Sequence, residues 1–403
     1  MRSRSQHTIS VRAVHAHAAT LVERHLQIRD HGPKCFASVL ICILFFAASR
    51  MRSLCDACQR LRDAPSDQAV RDAFVAMLPE LSQLERRINA GLSAELPRRL
   101  TKRSQRLAAD LTLIPYHGEP FADEREIYRS QPKSGTSHFH AYASCYVVQN
   151  GERFTLALTY VTKNEPLKDV LARLLRQVRS LGVEVRLVLL DRGFYSVDVI
   201  RYLQASRTPF LMPVVHRGRA AADPKRIRTT RRFLSWKKSG FSTHTWTNAK
   251  GRRATVSICV SCRNDAGRWK RHGRAALVYA FWGFQPGSPR WIREEYRKRF
   301  GIETSYRQMN QCRIRTSTRN PVLRLFFVGI ALLLRNVWVW FHLNILSDRH
   351  RNGRLILKLE LLRFTTLTLC LQHAAEHLLG CQEDGDLETP DWKPLTINER
   401  ITG

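Results

Sequence analysis

Acidic side chains are scarce in this 403-residue chain: 34 Asp and Glu stand against 66 Lys and Arg, which leaves a formal net charge of +32 and a pI near 10.7. Such a surplus calls for a polyanion or an anionic surface as partner. Long uncharged apolar runs are missing too. Phe36–Ala48 has only 13 residues, short of the ~18–20 that cross a bilayer. Residues 322–341 have the length, but Arg324, Arg335 and Asn336 interrupt them. Each central Arg costs ~2.5–3.5 kcal/mol on insertion, so a core helix is expected there rather than a span. No secretory signal is recognised, since the first apolar run begins only after Lys34. The ten cysteines are scattered and read as reduced thiols in a cytosol. Cys55-x2-Cys58 and Cys259-x2-Cys262 suggest a zinc site, but the pairs lie about 200 residues apart, which disfavours it.

With 44% apolar and 25% charged residues the composition is that of a globular protein. It excludes a disordered basic tail and a polytopic membrane protein, and the length allows two to three domains. Residues 35–105 read as helical. Asp63-Ala-Pro-Ser66 breaks the pattern, and Ser66 or Asp67 can cap a helix whose Ala69, Val70, Ala73, Phe74 and Met77 keep helical spacing. A helix-turn-helix with 66–77 as recognition helix and a hairpin used only for packing fit this pattern equally.

From Leu107 the pattern turns to strands: LAADLTLI, HFHAYASCYVVQ and RFTLALTYV, the last two joined at Asn150-Gly151. A helix at 167–181, an apolar strand at 183–190 and a capped helix at 196–205 follow. The order predicts a mixed α/β sheet covered on both faces. Residues 217–274 carry 17 Lys or Arg against two acids. Strand-like pieces at 242–247, 255–260 and 275–282, with Phe233, Trp236, Phe241, Trp246 and Trp269 interleaved, suit phosphate contacts and base stacking. One helix is expected over 289–312, an apolar one over 322–341 and another over 355–379, before a short acidic tail.

Three carboxylates stand out. Asp110 interrupts a strand, where a charge is costly unless paired or bound to a cation. Asp191 ends the 183–190 strand, at the carboxyl edge where open α/β sheets place their sites; its bland reading is a turn or cap. Glu303 lies on a helical stripe with Tyr296, Arg299, Tyr306 and Asn310, all within roughly an 80° arc at ~100° per residue. The bland reading of that stripe is a surface helix with Arg–Glu pairs, against which Gly301 argues, because an interior helical Gly suggests close backbone approach. His138 and His140 share a strand face; packing or phosphate contact is expected of them before metal ligation.

Together ADLTLIPYHG (109–118), YRSQPKSGTSHFHAYASCYV (128–147), LDRGFYS (190–196) and YRKRFGIETSYR (296–307) resemble, in order, the insertion-sequence DDE transposases with the Tyr-x2-Arg-x3-Glu-x6-Lys signature. The branch most resembled is the halobacterial-type one of the insertion-sequence-four superfamily. The resemblance implies a ribonuclease-H-like catalytic domain over 105–216 and 275–345, and a basic β-rich insertion over 217–274. An N-terminal helical, DNA-binding region over 1–104 and a C-terminal helix with acidic tail over 346–403 complete the expected organisation.

By position, the resemblance implies that Asp110, Asp191 and Glu303 are the catalytic triad and hold two Mg²⁺ or Mn²⁺ ions. Tyr296 and Arg299 would contact terminal DNA phosphates, and Arg192, Lys133, Arg307 and Asn310 are further DNA-binding candidates. Asn310 stands where the signature has lysine, and Arg307 or Arg313 would substitute for it. A hairpin intermediate with an extruded base stacked on Trp282 or Trp246 is also implied. The expected partners are double-stranded terminal repeats, target DNA and a second copy of the chain, in the cytoplasm at the nucleoid and without a membrane. The rival readings are a nuclease or resolvase of the same fold without strand transfer, and an inactive DNA-binding copy.

Overall fold

The computed structural model describes residues 9–149, 153–216, 229–263, 275–349, 355–356 and 360–381. The Asn150-Gly151 turn, Trp269 and the acidic tail fall outside these residues. Six helices open the chain: α1 (Val11–Leu26), α2 (Ala37–Ser49), α3 (Leu54–Arg60), α4 (Asp67–Met77), α5 (Leu81–Ser93) and α6 (Arg99–Lys102). Serine hydroxyls cap three of them: Ser10 accepts from Ala13 N, Ser53 from Asp56 N and Ser66 from Ala69 N. Helix α4 buries Val70, Ala73, Phe74 and Met77. On its outward side Arg71 pairs with Asp67, and Gln68 donates to Asp72 (2.8 Å). That outward side carries two acids and one base.

The sheet follows: β1 (Gln105–Pro115), β2 (Tyr128–Lys133), β3 (Thr136–Val147), β4 (Thr155–Val161), then α7 (Leu167–Ser180), β5 (Val185–Leu190), α8 (Val197–Ala205) and β6 (Phe210–Pro213). Strand β3 pairs antiparallel with β1 on one side and with β2 and β4 on the other; β1 runs parallel to β5, and β5 parallel to β6. The order β4-β3-β1-β5-β6, three antiparallel strands and then two parallel ones, is the ribonuclease-H-like sheet. The strands of the basic segment, β7 (Gly240–Thr247), β8 (Arg253–Arg263) and β9 (Ala275–Trp282), continue that sheet, because β9 pairs antiparallel with β6 and β8 with β9.

Four helices end the described chain. The expected helix over 289–312 is two, α9 (Pro289–Arg297) and α10 (Gly301–Asn310), separated by a 3-10 turn at Lys298–Phe300. The apolar helix is α11 (Pro321–Phe341), and α12 (Phe364–Leu379) begins nine residues later than expected, since Leu355–Ile356 pairs with Asp348–Arg349 in a two-stranded ribbon. Helix α11 is buried along most of its length, and its arginines reach backbone carbonyls, although Arg335 Nε is buried without a partner among the described residues. Arg324 Nε donates to Thr318 O (2.6 Å) and Arg335 Nη1 to Arg153 O (2.6 Å). It crosses α5 closely: a Cβ on Gly329 would stand 2.6 Å from Ile88 Cδ1.

The helical layer covers the exposed edge of β4, and side-chain amides do the pairing that another strand would do. Asn336 accepts from Thr155 N (2.9 Å) and donates to Thr155 O (2.9 Å) and Leu92 O (3.1 Å); Asn89 accepts from Leu158 N (2.8 Å) and donates to Leu158 O (2.9 Å). Glu85 accepts from Tyr160 N (3.1 Å). Leaving buried backbone groups unpaired costs ~1–3 kcal/mol each. Asn336→Leu is therefore expected to lower unfolding stability by about 3 kcal/mol or more, read from the urea midpoint; an unchanged midpoint contradicts this role.

Candidate active site

Adjacent parallel strands bring the first two acids together. Asp110 sits in mid-β1, whose following residues run out beyond β5; Ala109 pairs with Leu190, the residue before Asp191. Asp191 opens the 3-10 turn Arg192–Phe194 and its carbonyl accepts from Phe194 N (3.0 Å), but its side chain makes no cap hydrogen bond there and is left for the site. The third acid, Glu303, is on the first turn of α10, which packs on β1. Gly301 permits that approach: a Cβ there would meet Tyr146 Oη at 2.7 Å.

All three carboxylates meet one guanidinium. Arg299 Nη1 donates to Asp110 Oδ2 (2.7 Å), and Nη2 lies 3.2 Å from Glu303 Oε1 and 3.6 Å from Asp191 Oδ1. The Arg299 side chain is 6% exposed, against 17% for Asp110, 41% for Asp191 and 52% for Glu303. The acids therefore form the rim and the cation the floor. Burial pushes the Asp110 carboxyl up to about 6, with Arg299 opposing and Asp191 adding to the rise. Arg299 is held above its ordinary value: burial pulls it down, while Tyr296, Asp110 and Asp191 more than offset that.

Tyr306 braces the arrangement from behind. Its hydroxyl donates to Asp110 O (2.8 Å) and lies 2.9 Å from Ser144 Oγ, tying α10 to β1 and β3 at once. Ser144 faces Asp110 across the β1–β3 ladder; nothing in its sequence context marks it.

The remaining candidates divide. Tyr296 is buried, tilted on Tyr279 (5.2 Å between ring centres), with Arg299 5.6 Å from its own ring centre. Arg192, Tyr296, Tyr279, Arg293, Arg297 and Phe300 line a cavity of about 490 Å³ beside the acids. Of these, Tyr279, Arg293, Arg297 and Phe300 escape sequence reasoning, because only the β9–α9 packing brings them to Arg192. Arg307 and Asn310 are exposed on α10, and Arg313 Nε reaches Asn310 Oδ1 (3.4 Å). Lys133 is not brought to the acids: it ends β2 opposite Thr136, eight residues up β3 from Ser144, ~27 Å at strand rise.

Trp282 and Trp246 are also elsewhere. Both pack into the core that α7 and α8 cover, on the face of the sheet opposite Tyr296, and Trp246 stacks on Tyr195 (5.0 Å). His140 is buried edge-on to Tyr116, and His138 lies beside Arg129 and Thr136.

The donor set suits a hard cation, being carboxylate oxygen throughout. As placed, among the described residues no group of three or more His, Cys, Asp or Glu is arranged around an ion position; the guanidinium stands where the carboxylates converge.

Sheet order and acid placement define the ribonuclease-H-like class. A sequence profile of the family described as Transposase DDE domain matches residues 101–337, and the chain belongs to that family. Among solved structures it is similar to a piggyBac transposase, determined by cryo-EM as a synaptic complex with hairpin DNA. The TM-score is 0.54 at 10% identity, over 97% of this chain and 84% of that one. No curated protein matches it.

Tyr306→Phe removes both hydroxyl contacts and is expected to cost about 1–2 kcal/mol of stability, seen as a lower urea midpoint. Wild-type stability in that variant would show that the hydroxyl does not brace Asp110.

Proposed function

We propose that this DNA transposase cuts the ends of an insertion sequence and joins them to target DNA by phosphoryl transfer at Asp110, Asp191 and Glu303. The observation that carries the reading is the meeting of acids from β1, β5 and α10 at Arg299, within 3.6 Å of its guanidinium. Asp110, Asp191 and Glu303 would hold two Mg²⁺ or Mn²⁺ ions, which supply activation of a water or 3′-hydroxyl and stabilisation of the leaving oxygen. The side chains do the rest. Tyr306 fixes the backbone of Asp110, and Arg192, Arg293 and Arg297 offer forks to the phosphates of a DNA end.

The cavity lined by Tyr279, Tyr296 and Phe300 together with Arg192, Arg293 and Arg297 suits an unpaired base stacked on aromatic rings. It takes the role first given to Trp282 and Trp246, and the hairpin DNA of the piggyBac complex supports a hairpin route. The finer assignment to the Tyr-Arg-Glu-Lys group rests on Tyr296, Arg299 and Glu303 at signature spacing. Arg313, at Asn310, supplies the charge that the missing lysine would carry. Two copies would act together on paired ends, as the synaptic complex of the piggyBac protein suggests. Their place is the nucleoid in the cytoplasm.

Purified protein with oligonucleotides from the inverted repeats beside its gene, a plasmid target and Mg²⁺ tests this. Cleavage and covalent joining are expected, with Mn²⁺ but not Ca²⁺ replacing Mg²⁺. Asp191→Asn is expected to lower both by about a thousandfold or more while sparing DNA binding. Cleavage without joining would identify a nuclease, and wild-type behaviour of Asp191→Asn would overturn the assignment.

A further inference from the structure

Arg299 carries two demands that cannot be met at once. A side chain that grips terminal phosphates has to face DNA, and carboxylates that grip divalent cations have to face one another across an open centre. In the structure the guanidinium fills that centre. It is buried, it bridges acids from three elements, and it is cushioned by the rings of Tyr296 and Phe300 at 5.6 and 5.8 Å.

Two further features of Arg299 bear on how firmly it is held there. Arg299 Nε is buried and, among the described residues, has no hydrogen-bond partner, so a donor is left over for an acceptor from elsewhere. Arg299 also lies in the three-residue 3-10 turn that breaks α9 from α10, a kind of mid-helix irregularity that often marks a hinge.

Charge balance separates the two demands. Three carboxylates with one guanidinium carry a net charge of −2 in place of −3, and Asp191 and Glu303, the two more exposed acids, keep contact with water. Two divalent cations placed among the same oxygens would stand against the guanidinium and repel it. Two oxygens of a phosphate offer its planar fork a bidentate partner of the sign it would lose.

We infer that Arg299 is a resident counter-ion that keeps the three carboxylates closed to divalent cations until a DNA phosphate draws the guanidinium away. The inference rests on the reading of Asp110, Asp191 and Glu303 as the cation site. It makes DNA binding and cation binding mutually reinforcing, and each must strengthen the other by the same factor. In the DNA-free protein the guanidinium occupies the centre in place of metal and offsets one of the three negative charges, which disfavours idle hydrolysis of passing nucleic acid.

The test is Mn²⁺ binding to full-length, DNA-free protein, followed by loss of the free-ion electron paramagnetic resonance signal. Wild type is expected to bind weakly, and Arg299→Gln to bind about tenfold tighter or more. The gain should vanish in Arg299→Gln combined with Asp191→Asn. Mn²⁺ should raise the melting temperature of Arg299→Gln and leave that of wild type unchanged. Should Arg299→Gln fail to fold, Arg299→Lys replaces it: its ammonium is a point charge without the guanidinium's fork, and an intermediate gain is expected. Wild type binding Mn²⁺ as tightly as the variants would overturn the gating role and leave the cation site standing. Absence of binding in every folded protein would overturn both.

Discussion

A buried guanidinium needs partners, and in this protein Arg299 finds them in three acids from separate elements. Removing such a cation from water costs several kcal/mol unless its donors are matched. The sheet order, the pitch of α10 and the absence of a side chain at Gly301 all serve that match. Parallel pairing of β1 with β5 puts Asp110 and Asp191 side by side. The 3-10 turn then sets Arg299 and Glu303 above them from one helix end. If any one of these elements shifted by a residue, the guanidinium would lose a partner and keep its burial.

The rest of the fold holds this junction still. Strand β4, on the far side of β3 from β1, has its edge closed by Asn89, Asn336 and Glu85, so the sheet and the helical layer share one hydrogen-bonded seam. Helix α11 serves both: its residues pack in the helical core, while Asn336 reaches the sheet. The basic segment lengthens the sheet beyond β6, which brings Tyr279 of β9 against Tyr296 of α9, next to the acids.

Much of this was legible in the sequence, for identifiable reasons. Alternation and apolar runs mark β1, β3, β4 and β5, and the acids stand out because a charge in a strand interior or at a buried strand's end needs a reason. Gly301 was readable as a close approach. Lateral relations were not readable. Periodicity groups Trp282 with Ala280 and apart from Tyr279, but it does not say which group faces α9. Helical spacing runs unbroken across Lys298–Phe300, because a 3-10 turn of three residues barely alters the stripe. Residues 355–363 are apolar enough to extend α12, yet Leu355–Ile356 pairs in a ribbon instead. The place of Arg299 was hidden for another reason: the spacing puts it beside Glu303, but only the sheet supplies Asp110 and Asp191.

The central claim is that these acids form one cation site that works on DNA. Anomalous scattering from Mn²⁺ in crystals of the protein bound to a cut terminal repeat tests it directly. The account predicts peaks between Asp110, Asp191 and Glu303, with Arg299 turned to a phosphate. Peaks confined to other residues, with the guanidinium still on the acids, would contradict it.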